Sequence, residues 1–196
     1  MCKFSEDSRQ KLGNAVIYIA NHTEQLSKTK LLKLLFLMEE YMVKRYHVPF
    51  MGLPFEIWQA GPVAKDIFID LSDGPFLLKD FVKTEVQKDA TYIRAIKPFC
   101  DDEFSDCEME MMDEIIRKYG KKTAKQLVAE VHKEGSLWFN AAKKHGLLTA
   151  FNKGLCNNSD YTIDFSEELS DCAREDYKES LAIHQTANIL KAQEYV

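Results

Sequence analysis

Residues 27–46, SKTKLLKLLFLMEEYMVKRY, constrain the fold more than any other stretch. Leu31, Leu34, Leu35, Met38 and Met42 share one helical face, and Leu32, Phe36 and Val43 share another. A helix that is apolar on two sides must be covered on two sides, so it belongs at the centre of a bundle. Ser27 stands where an N-cap is needed. The charges Glu39, Glu40, Lys44 and Arg45 gather towards the C-terminal end and read as a solvated face. The run LLFLM (34–38) falls far short of the roughly 20 apolar residues that cross a bilayer, so no membrane contact is expected.

The elements around this helix follow from period and punctuation. Leu12, Ala15, Val16 and Ile19 predict an amphipathic helix of about four turns before it. Pro49, Gly52 and Pro54 end the pattern after it. FEIWQ (55–59) predicts a short strand, and GPVAKDIFIDL then predicts a helix with Pro62 at its first position and Gly61 easing the turn. FVKTEV and TYIRAIK predict two more strands, which with the first would make one small antiparallel sheet. Ser105 and Glu108 form a capping box, with Phe104 and Met109 placed as a hydrophobic staple. Thr123 and Gln126 form a second box. Ser136 caps a third short helix, closed by Gly146. YTIDF (161–165) reads as a strand or an extended segment. Residues 167–194 read as one long helix with a thin apolar stripe of Leu169, Cys172, Ala173, Leu181 and Ile189.

The expected class is therefore α+β, predominantly helical: a compact helical bundle with a small antiparallel sheet over residues 1–150, followed by an acidic helical extension over 151–196. With 45% hydrophobic residues the chain can bury a core.

Charge and chemistry narrow the function. The net charge is −5, yet residues 157–196 alone sum to −6, so the remainder carries no basic field for nucleic acid. The five cysteines are odd in number and irregular in spacing, and the charged N-terminus shows no secretory apolar stretch. This reads as a cytoplasmic protein with reduced thiols. No phosphate loop, dinucleotide fingerprint, H-E-x-x-H or C-x-x-C occurs, so no cofactor, metal or catalytic residue is expected. The five histidines are scattered and read as exposed or hydrogen-bonded side chains. Trp58 and Trp138 are either core anchors or partner contacts, since tryptophan is enriched at interaction hot spots.

One longer pattern resembles a known family. KTKLLKLLFLMEEYMVKRYHVPFMGLPFEIWQAGPVAKDIF resembles the signature of the Panacea domain, also described as phage-associated or SocA-like antitoxin proteins. The residues that carry it are Lys30, Leu31, Leu34, Phe36, Tyr46, Gly52, Trp58, Gly61, Pro62 and Val63. Ser105, Tyr119, Gly120, Leu127, His132 and Trp138 resemble its second half. The likeness spans roughly residues 10–145 and leaves the acidic tail outside. It implies a bacterial or prophage antitoxin that neutralises a cognate toxin by direct protein binding, without enzyme activity. Trp58, Gly61, Pro62 and Trp138 are then the candidate partner-binding residues. The acidic tail could cover a basic, nucleic-acid-handling site on the toxin. The alternative is a proteolysis adaptor that delivers a bound protein to a chaperone-protease, or a regulatory interaction protein without a toxin partner.

Overall fold

α2 (Lys28–Tyr46) runs through the middle of the molecule, as its two apolar faces require. In this computed structural model, residues 4–72, 74–88 and 90–193 are described. Both faces of α2 are buried, from Leu31 to Val43. Ser27 caps the helix by accepting from the Lys30 amide at 3.2 Å. α1 (Glu6–His22) packs beside it and is capped by Ser5, which the sequence reading did not single out. Gly13 of α1 allows the buried Phe81 ring to lie directly on the helix backbone: a Cβ there would stand 2.2 Å from the ring.

The first hairpin corrects one expectation. β1 (Glu56–Trp58) pairs with β2 (Gly61–Val63), so Pro62 lies inside a strand rather than opening a helix. Pro62 faces Ile57 in the register. Ile57 directs its N–H away from β2, to the Tyr161 carbonyl at 2.9 Å, so this pair exchanges no ladder bonds and the missing proline N–H costs nothing. The chain reverses over Gln59 and Ala60 and enters β2 through Gly61 at φ +96, a conformation that favours glycine. α3 (Lys65–Asp70) starts only afterwards.

β3 (Val82–Gln87) and β4 (Ala90–Ala95) form a second, separate hairpin. The single expected sheet is therefore two sheets among the described residues. The outer edge of β4 is met instead by the α1–α2 connection, where the Ile93 amide donates to Leu26 at 2.8 Å.

The later helices begin where their caps lie. α4 (Asp106–Tyr119) and α5 (Ala124–Val131) open with the two capping boxes, and α6 (Leu137–Lys144) opens on Ser136. A short α7 (Leu147–Asn152) follows Gly146, where the sequence reading placed none. Of the expected segment 161–165, residues 161–164 are extended, with Thr162 bridging Glu56, and lead into a 3-10 turn at Phe165–Glu168. α8 (Asp171–Gln193) closes the described chain. Ile163, Phe165, Leu169, Ala173 and Tyr177 join the common core, whereas Cys172 and Ile189 of the expected stripe are exposed. Among the described residues, no helix is long and apolar enough to cross a membrane.

Candidate functional site

Three of the four candidate partner-binding residues, Trp58, Gly61 and Pro62, belong to the β1–β2 hairpin, and the fourth supports it. Trp138 projects from α6 and donates from its Nε1 to the Trp58 carbonyl at 3.1 Å. Trp138, Gly61 and Pro62 are buried. Trp58 is half-buried: its ring meets Phe68 edge-on at 5.0 Å, and its Nε1 donates to Glu56 at 2.8 Å. Next to it the hairpin tip, Gln59 and Ala60, is exposed. The four residues thus form one unit in which Trp58 and the tip face outward and the others hold them.

The support beneath the hairpin is polar. Lys33 of α2 is 1% exposed and donates from Nζ to the Pro62 carbonyl at 2.7 Å. Gly61 lies over its stem: a Cβ there would approach Lys33 Cε to 2.8 Å and Val131 Cγ2 to 3.0 Å. His132, at the end of α5, stacks flat on Trp138 with centroids 3.8 Å apart. Its Nε2 is buried with no hydrogen-bond partner among the described residues, against the sequence reading of the histidines. Burial pushes the Lys33 ammonium down to about 7, and burial together with the Lys33 charge pushes His132 down to about 4. Two bases share a dry site that cannot hold two cations.

Two more buried charges on α2 hold backbone elsewhere. Lys30 donates to the Gly120 carbonyl at 2.7 Å, at the C-terminal end of α4, where a cation is favoured. It also reaches the Glu24 carbonyl at 3.2 Å. Glu39 accepts the amides of Phe50, Met51 and Gly52 at 3.1, 2.9 and 3.2 Å. Burial pushes this carboxyl up to about 7, against the three amides that favour its charged form. Glu39 therefore is not part of the solvated face expected for it. It sits one turn beyond Leu35 and Phe36, so it projects into the covered side of the helix.

The titration of Lys33 has a measurable consequence. Above its folded value of about 7 and below its ordinary 10.5, the unfolded chain binds the extra proton, so stability rises with pH. Glu39, raised from 4.5 to about 7, makes stability fall over that lower interval, and His132, lowered from 6.5 to about 4, opposes it there. The window above pH 7 is thus free of both, and Lys30, which burial also pushes down, adds to the same rise towards its upper end. Urea melts from about pH 7 to 9.5 are expected to show stability climbing by up to about 1.4 kcal/mol per pH unit, and Lys33→Met should flatten the climb. An equal slope in the variant would remove Lys33 as its source.

The Lys33 amine is shut from solvent, so it acts as a structural donor. Among the described residues, no group of three or more His, Cys, Asp or Glu side chains could hold a metal ion.

No curated protein and no solved structure matches the chain. A family model does, that of the antitoxin SocA-like, Panacea domain, over residues 31–139. That segment runs from the first buried turn of α2 into α6 and contains Lys33, Glu39, the hairpin, His132 and Trp138. It covers more than half of the sequence, and on that match the chain belongs to the SocA-like antitoxin family, Panacea domain, whose name indicates an antitoxin-type role.

Proposed function

We propose that this protein neutralises a cognate toxin by binding it directly, as one half of a bacterial or phage-associated toxin–antitoxin pair acting in the cytoplasm. The observation that carries the proposal is the family match over residues 31–139, which contains the whole hairpin unit. The hairpin suits a binding role. Its tip and the Trp58 edge are exposed on a base fixed by Trp138 and Lys33, so little ordering is left to occur on contact. Residues 151–196 act in this reading as an acidic extension to that binding domain.

Co-expression tests it. Each product of the reading frames flanking the gene is expressed alone and with this chain. Growth arrest by one product, relieved by the chain, is the expected result, and no rescuable toxicity overturns the reading. Rescue that disappears in a host lacking its chaperone-proteases would make the chain an adaptor instead.

Trp58→Ala separates the two roles of that tryptophan. The variant should remain folded, losing about 1–2 kcal/mol, because the carbonyl that Trp138 needs is backbone. Binding to the toxin should weaken at least about tenfold. Loss of the fold, seen by circular dichroism, would make Trp58 a core anchor.

A further inference from the structure

α8 has two faces of different kinds. On the inner one, Ala173 and Tyr177 are buried, His184 Nε2 lies 3.1 Å from the Met51 carbonyl, and Ser8 Oγ donates to Asn188 at 2.5 Å. At 3.6 residues per turn, Glu175, Glu179, Ile183, Thr186 and Leu190 line up on the opposite side. All five are exposed, Ile183 at 64% and Leu190 at 58%. Ile183 and Leu190 are thus the apolar members of one solvent-facing stripe, the arrangement that an amphipathic helix offers to a groove.

The acids on this face set the sign of whatever covers it. Asp171 pairs with Arg174, and Asp176 lies beside His47. Glu175 and Glu179, two turns and one turn before Ile183, have no cation partner among the described residues. On this face Glu175 and Glu179 are the charged residues, so a second copy of α8 laid parallel would set like charges against each other, which opposes that pairing.

We propose that the outer face of α8 is a docking surface for the toxin, and that the toxin meets it with an apolar groove bordered by Lys or Arg. Ile183 and Leu190, two turns apart, are the anchors of a helix-in-groove contact. Glu175 and Glu179 steer it and fix its direction along the helix. α8 lies wholly outside residues 31–139, so this contact adds to whatever the family segment provides and lets the chain select its own partner. The proposal rests on the toxin-neutralising function.

The probe is the flanking-frame product that the wild-type chain rescues, with the full-length chain throughout. Ile183→Glu/Leu190→Glu is expected to bind it about a hundredfold more weakly and to lose rescue while keeping the wild-type circular dichroism. Glu175→Lys/Glu179→Lys should bind about tenfold more weakly at low salt, and the difference should shrink at high salt. Val86→Glu, on the exposed end of β3 at 75% exposure, should bind as wild type does. Rescue by wild type and α8 variants alike overturns the docking surface and leaves the antitoxin function standing. Loss with Val86→Glu as well removes the assignment to α8. A wild-type dimer that Ile183→Glu converts to monomer would give the face to a second copy and overturn the proposal. Absence of any rescued toxin brings down the function and the docking surface together.

Discussion

Glu39→Ala is expected to destabilise the protein by about 3–5 kcal/mol, read from chemical denaturation at neutral pH. The carboxylate is buried and receives the amides of Phe50, Met51 and Gly52. Removing it strands three donors in a dry place, where each unsatisfied group costs roughly 1–3 kcal/mol, less whatever relaxation recovers. A total stability of about 5–15 kcal/mol leaves room for the variant to be largely unfolded at 37 °C. Glu39→Gln should lose less, because its one carbonyl oxygen still accepts while its amide group opposes the remaining donor. A loss below about 1 kcal/mol in the alanine variant would show that water replaces the carboxylate.

Gly13→Ala should also destabilise, by about 2–3 kcal/mol, although alanine is the better helix former by about 1 kcal/mol. The new Cβ would stand 2.2 to 2.4 Å from three atoms of the Phe81 ring. That ring is fully buried, with the Lys97 ammonium 3.9 Å from its centroid on one approach and Arg9 at 5.1 Å on another. It cannot swing aside without repacking α1 against the second hairpin. Phe81→Leu should therefore relieve part of the Gly13→Ala penalty, and a double-mutant cycle with no coupling would show that the clash is absorbed elsewhere.

The helical part of the fold was legible because its signals are local. Ser27, Ser105 with Glu108, Thr123 with Gln126, and Ser136 each cap the helix that follows them, and the two-sided apolar pattern of α2 placed it at the centre. The hairpin was half legible. Within residues 55–59 the strand signal was right for Glu56–Trp58, but Pro62 carried a helix-start signal, and the turn at Gln59–Ala60 lacks an Asn-Gly or Asp-Gly pair. What decides the matter is Ile57 bonding to Tyr161, more than a hundred residues away, which no local pattern contains. The support of the site was hidden for the same reason. A lysine or glutamate on a helix usually means solvent, and Lys33 and Glu39 differ only because distant backbone comes to meet them. One signal was available for Lys33, which stands alone inside the apolar run from Leu31 to Met38.

The loop held by Glu39 carries a property that its irregular shape conceals. Residues 50–52 have no ladder or helical turn of their own, yet their amides are anchored to a side chain in the innermost helix. Such a loop has no independent opening motion: its amides are released to water only when α2 gives way. The connection between the central helix and the hairpin thus has the lifetime of the core, so the angle at which Trp58 is presented is kept for as long as the protein is folded.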